Sequence, residues 1–209
     1  MTPFELVAVR HGRTAWNVNG RFQGHTDVPL DESGRRQAES LAEWLAADVF
    51  DAAATSDLRR TRETAEIILG PRGLVAAVDP RWREMEFGQW EGLTWAEITT
   101  RFPQVTAPPN ASSGRFLTPP GGESFDQLCA RVALALEDVR SRTPPQGRAL
   151  VVTHAGPLHA LMRIALGQRD ADALGIRFAP AGITRIAFSP GGAQLLALNQ
   201  SVQGMQRRA

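Results

Sequence analysis

Two short apolar runs end in histidine. Residues 6–9 lead into Arg10-His11-Gly12, and residues 149–152 lead into Thr153-His154-Ala155-Gly156. A strand that ends this way sets an imidazole, and at the first site a guanidinium, at the carboxyl edge of a sheet. Open α/β sheets keep their ligands at that edge. The pattern points to His11 as a nucleophile. The plainer alternative is an Arg–His pair that caps a core strand, the commoner fate of one such pair. Two histidines at strand ends, each followed within two residues by glycine, favour chemistry, because neighbouring strands would bring both imidazoles into one crevice.

The elements that must position them alternate. Residues 4–10 read as a buried strand, and 11–30 as a long polar loop over its end. Asp31 offers an N-cap to a helix reaching about residue 47, with Ala38, Leu41, Ala42 and Leu45 inward. Residues 50–55 form a second strand. Ser56 is expected to cap the next helix, with Leu58, Ala65, Ile68 and Leu69 buried and Gly70-Pro71 as its stop. Residues 74–78 are a weak third strand. Thr94-Trp95-Ala96-Glu97 and Ser124-Phe125-Asp126-Gln127 match capping boxes. The first opens a short helix stopped by Pro103, the second a long one with Phe125, Leu128, Val132, Ala135 and Val139 on one face. Pro157 is expected at the first position of a helix that ends at Gly167. Residues 183–188 and 194–198 close the chain as a hairpin.

This alternation predicts an α/β fold with helices on both faces of a mostly parallel sheet. No repeat or linker divides the 209 residues, so one domain is expected over 1–209. Residues 93–122, rich in proline beyond Pro103, form a cap-like excursion over the site.

Composition excludes several functions. The formal charge of +1 offers no general basic surface for nucleic acid or anionic membranes. All 23 basic residues are arginine, so there is no Schiff-base lysine and no phosphate loop ending in Gly-Lys-Ser/Thr. The lone Cys129 forms no internal disulfide, and no run approaches a membrane span, so a cytoplasmic protein is expected. No zinc-type spacing appears and no cofactor is implied.

Five segments carry a resemblance. The first, Arg10-His11-Gly12 with Thr14, Trp16 and Asn17, continues through Gln23-Gly24 with Asp27, Pro29-Leu30, Gly34 and Gln37-Ala38. Next come Ser56-x-Leu58-x-Arg60-x-x-x-Thr64-Ala65 and Glu84-x-x-Phe87-Gly88-x-Trp90-Glu91-Gly92. Gly122-Glu123-Ser124 and Val152-Thr153-His154-Ala155-Gly156 complete the set. In this order they resemble the histidine phosphatase superfamily, over most of the chain. The resemblance implies a three-layer α/β/α sandwich of phosphoglycerate mutase-like type. It also implies a metal-independent phosphomonoesterase acting on a small phosphorylated metabolite through phospho-His11.

The chemistry of the residues agrees with what the resemblance implies. A phosphate monoester is a dianion, and Arg10 and Arg60 present permanently charged planar forks to its oxygens. Their charge disfavours an imidazolium at His11 and keeps one ring nitrogen free to attack. The other nitrogen holds a proton and needs an acceptor, for which a turn carbonyl near Gly12 is at hand. His154 would donate to a phosphoryl oxygen. Asn17, Gln23 and the amides of Gly24 and Ala155 are implied ligand contacts. Glu84 matches the acid that protonates the leaving oxygen, a role requiring a carboxyl kept protonated by burial or by phosphate charge. Arg13 and Arg21 read as solvated loop cations, His25 as a neighbour of the site and His159 as a packing or surface residue.

The alternatives are a cofactor-dependent phosphoglycerate mutase and, from another class, a non-catalytic phosphate-binding module. Thr14, Gln23-Gly24-His25 and a short excursion, in which Arg115 is the only cation between Phe102 and Gly122, lean toward the phosphatase. A homodimer paired through the closing strands is allowed by the pattern and not required by it.

Overall fold

The computed structural model describes residues 3–105, 117–167 and 176–201. Strand β1 (Phe4–Arg10) is followed by a one-turn helix α1 (Ala15–Val18), in a stretch expected to be loop throughout. Helix α2 (Glu32–Trp44) starts at Asp31, whose carboxylate accepts from the Gly34 amide as its composition predicts. Strand β2 (Ala52–Thr55) and helix α3 (Arg59–Leu69) follow, then β3, cut to Ala77–Val78. Helices α4 (Trp95–Arg101) and α5 (Phe125–Arg142) both begin with the expected capping boxes, at Thr94 and Ser124. Strand β4 (Arg148–Thr153), helix α6 (Ala155–Leu166) and the antiparallel pair β5 (Ile183–Ser189) and β6 (Gly192–Gln200) complete the fold.

The sheet order is β3-β2-β4-β1-β5-β6, parallel from β3 to β1 and antiparallel beyond. Period-two alternation sends Leu6 and Ala8 to one face and Val7 and Val9 to the other. The first face packs on α5 and α6 through Leu128, Val132, Leu158 and Leu161. The second packs on α2 and α3 through Leu41, Leu45, Ala65 and Ile68. Three layers result, as expected. Among the described residues no helix is long and apolar enough to cross a membrane.

Three local expectations are corrected. Helix α3 is capped at Leu58 without a side-chain bond, because the Ser56 hydroxyl is engaged elsewhere. Its chain does not stop at Gly70-Pro71 but runs on as a 3-10 turn to Gly73, which takes the left-handed conformation. Helix α6 begins at Ala155, with Pro157 third rather than first. A proline there costs no hydrogen bond, since the first turn's amides have no intrahelical acceptor. The middle of the 93–122 excursion, with Arg115, lies outside the described residues. Its start is held by a bridge between Arg21 and Thr94 and by Ile98, which is buried.

Candidate active site

Strands β1 and β4 are neighbours in register, with Arg10 opposite Thr153. The next residues of both strands therefore enter the same crevice, and the rings of His11 and His154 lie 5.1 Å apart, edge to face. The His11 amide still donates to the Thr153 carbonyl at 2.9 Å, so the ladder runs up to the site. A cavity of about 240 Å³ opens there. Of the residues singled out by sequence, Arg10, His11, Asn17, Gln23, Arg60, Glu84 and Ala155 line it. Gly24 and His154 are not part of that lining.

The two histidines differ in what their nitrogens can do. His11 Nδ1 lies 2.7 Å from the Gly12 carbonyl, which only accepts, so Nδ1 carries the proton and Nε2 keeps its lone pair. Burial, then the charges of Arg60 and Arg10, hold the His11 pKa well below its usual range, and the ring is neutral. His154 is engaged on both sides. Arg60 Nε donates to its Nδ1 at 3.2 Å, so Nε2 carries the proton and donates to Ser56 Oγ at 2.8 Å. Ser56 Oγ lies 2.6 Å from Thr61 Oγ1, which donates to the Leu58 carbonyl at 2.8 Å. Burial and the Arg60 charge also keep His154 neutral. In this state neither nitrogen of His154 is a free donor; an oxygen arriving at Nδ1 would need Arg60 to turn away and a proton to be taken up.

The arginines are held by carbonyls. Arg10 Nη1 donates to Phe178 O at 2.6 Å, and its Nε is buried without a partner. Arg60, 0% exposed, donates to Gly24 O at 2.7 Å and Thr26 O at 2.8 Å. Burial pushes its pKa down to about 10, with Glu84 the largest charge opposing that fall.

Glu84 is 8% exposed, so the burial expected of it is present. Its carboxylate sits on the N-terminus of α6. Oε1 accepts from the Met85 and Gly156 amides, both at 2.8 Å, and Oε2 from the Ala155 amide at 3.2 Å. Amides at a helix start favour an anion. A Cβ at Gly156 would stand 2.3 Å from Oε1, so only glycine lets the carboxylate in. The Ala155 amide expected to meet a ligand thus meets Glu84. Behind the acid, Arg131 donates to the carbonyls of Arg81, Arg83 and Glu84 and pairs with Glu123. His25 Nε2 donates to the Glu84 carbonyl at 3.0 Å.

Asn17 Oδ1 is taken by the Thr14 amide and hydroxyl, closing a capping box on α1. Gln23 is buried with Oε1 unpartnered. Arg21 lines the cavity, but its guanidinium is spent on the Gly92 carbonyl and Glu97. Phe22, Met85 and Phe87, which sequence did not single out as walls, form the apolar side. His159 is buried against Phe178, as expected of a packing residue. Ser56 was missed in its role. A serine before a helix reads as a cap, and nothing local says that its hydroxyl serves a histidine 98 positions away. Among the described residues no three His, Cys, Asp or Glu side chains gather to hold a metal ion.

Comparison with known proteins bears on this arrangement. A family model of the histidine phosphatase superfamily (branch 1) matches residues 6–201. Phosphoglycerate mutase-like protein 4 of Arabidopsis thaliana is 36% identical over 159 residues, 75% of this chain and 69% of that protein. The metal-independent phosphoserine phosphatase of the same plant is 37% identical over 159 residues, 75% of this chain and 66% of that one. The chain thus spans about two thirds of each plant relative. The structure of mycobacterial glucosyl-3-phosphoglycerate phosphatase complexed with VO3 has a TM-score of 0.84 and 32% identity, covering 94% of this chain and 99% of that one. Matched over nearly its whole length, the chain belongs to branch 1 of the histidine phosphatase superfamily.

Proposed function

We propose that the protein hydrolyses the phosphate monoester of a small metabolite, through a phosphohistidine on His11 and without a metal ion. The observation that carries this reading is the Gly12 carbonyl, which accepts a hydrogen bond from Nδ1–H and leaves the Nε2 lone pair free on a neutral ring near the charges of Arg60 and Arg10. Related proteins that are named phosphatases, one of them solved with VO3, support it.

The phosphoryl dianion enters between Arg10 and Arg60, whose unspent N–H groups face its oxygens. His11 Nε2 attacks phosphorus in line, the P–N bond forms and the P–O bond to the leaving group breaks. The leaving oxygen takes the proton of the Glu84 carboxyl. An arriving phosphoryl oxygen competes for the Ala155 amide, the longest of the three bonds to Glu84, and frees Oε2 to take up that proton from solvent before attack. In the second half Glu84 takes a proton from water, the water oxygen attacks phosphorus and the P–N bond breaks. Phosphate leaves and His11 returns neutral. Phe22, Met85 and Phe87 accommodate the leaving group.

The test is phosphate release from p-nitrophenyl phosphate with and without a chelator. Turnover that survives chelation and is lost in His11→Ala supports the proposal. Loss on chelation overturns the metal-free mechanism, and interconversion of phosphoglycerates faster than phosphate release overturns hydrolysis in favour of a mutase.

A further inference from the structure

Arg60 is a buried cation whose aim depends on two peptide carbonyls, Gly24 O and Thr26 O, so whatever fixes those carbonyls fixes the cation. The loop that carries them has no regular structure to hold it. Ties to Leu93, Gly92, Glu84 and Arg59 fix its flanks, but the residues between Gly24 and Thr26 converge on one carboxylate, Glu91, which does not line the cavity. Glu91 Oε1 accepts from the His25 amide at 2.8 Å and the Phe87 amide at 3.3 Å. Oε2 accepts from the Thr26 amide at 2.9 Å and the Thr26 hydroxyl at 2.6 Å. Four donors thus converge on two oxygens, from the loop beneath Arg60 and from the segment that carries Glu84. Gly24 is part of the same device: at φ +51° a Cβ would stand 2.0 Å from Glu91 Oε1, so the loop closes onto the carboxylate only with glycine there.

The charge matters as well as the hydrogen bonds. Arg60 pairs with no carboxylate among the described residues, and Glu91 is one of the acids whose field favours its charged form. A carboxylate bonded directly to the guanidinium would occupy the N–H groups meant for a phosphoryl oxygen. One placed behind the carbonyls adds to the field of Glu84 and Asp27 and leaves the fork open. We propose that Glu91 is a positioning residue, which locks the Gly24 and Thr26 carbonyls and thereby aims Arg60 at the phosphoryl group. This rests on the phosphatase reading above and extends it to a residue that touches no ligand.

An amide in place of the carboxylate keeps the shape but turns an NH₂ toward backbone N–H groups, so Glu91→Gln breaks the lock. Displacement of a binding group by about 1 Å costs on the order of 10²-fold. The experiment is a double-mutant cycle on the full chain, with Glu91→Gln, Arg60→Met and the pair. It reads kcat and KM on p-nitrophenyl phosphate and the equilibrium dissociation constant of orthovanadate. Glu91→Gln is expected to weaken vanadate and raise KM by about 10- to 100-fold. In the Arg60→Met background the same substitution is expected to change vanadate affinity less than about twofold, since its target is gone. Thr26→Val removes one of the four bonds and serves if Glu91→Gln does not fold; a rise in the vanadate constant of about two- to threefold is expected. Unchanged vanadate affinity in either variant, or an equal loss with and without Arg60, overturns the proposal. A wild-type protein that neither hydrolyses the ester nor binds vanadate overturns the phosphatase reading itself, and this inference with it, before any variant is compared.

Discussion

The two ends of the central sheet each hold two arginines, and they are treated in opposite ways. At the amino end, Arg148 and Arg185 are matched by two carboxylates. Arg148 meets Glu5 and Asp48, both at 2.8 Å, and Arg185 meets the same pair at 2.9 and 2.6 Å. Burial presses the Arg185 pKa down, but Asp48 and Glu5 outweigh it and raise it. At the carboxyl end, Arg60 is fully buried and Arg10 half-buried, and both are given carbonyls instead. Burial lowers the pKa of both. A guanidinium that has its carboxylate is finished; one held only by dipoles keeps its charge for a partner still to come. The first pair staples β1, β4 and β5 together, and the second is the pair that the proposed reaction assigns to the phosphoryl anion.

That contrast can be broken by substitution, and Glu84 gives the largest expected effect. It is the one carboxylate among the described residues that line the cavity, and it bonds to amides rather than to either arginine. Glu84→Gln is expected to lower kcat by about 10²–10⁴-fold while vanadate binds as tightly or more tightly. If Glu84 only balanced charge, the substitution would leave kcat intact. Arg60→Met comes next, with an expected loss in kcat/KM of about 10²–10³-fold and little change in Tm. A large fall in Tm with modest kinetic loss would place Arg60 with the staples. Arg185→Met is the mirror experiment. Unfolding by urea should show about 2–3 kcal/mol lost, because Glu5 and Asp48 are left with one cation, while kcat/KM stays within twofold.

The smallest effect separates the buried histidines from the arginines. Burial, with Arg10 nearby, pushes the His159 pKa down to about 4. Its native value lies below the unfolded 6.5, so the stability it contributes is complete above 6.5 and is lost as pH falls toward about 4, where the unfolded chain binds a proton the native one refuses. His11 and His154 act in the same direction. Urea unfolding at about pH 5 should therefore recover about 1–2 kcal/mol, relative to neutral pH, in His159→Met. An unchanged acid limb would show that His159 is protonated in the native protein.

How much of this could be read from the chain follows the range of each interaction. Asp31, Thr94 and Ser124 were legible as caps because their partners lie three residues away. The strand ends at His11 and His154 were legible because the same pattern occurs twice, a buried run stopping at a histidine with glycine within two residues. Ser56 misled because a cap and a histidine partner look alike in sequence; only the pairing of β2 with β4 brings it beside His154. Glu91 stood in a recognised motif without a role, since its acceptors' donors are backbone amides, and an amide has no signature in sequence. The pairing of Glu5 and Asp48 with Arg148 and Arg185 was invisible for the same reason of distance.

The central claim is that His11 Nε2 is the atom that takes the phosphoryl group. Rapid mixing with a phosphate monoester, a quench into alkali that preserves a P–N bond, and intact-mass analysis test it directly. One added phosphoryl group, mapped by fragmentation to His11, released by acid and absent from His11→Ala, is the result this account predicts. A protein that turns over the ester at full rate with no phosphoryl group on His11, or with the group on another residue, would contradict it.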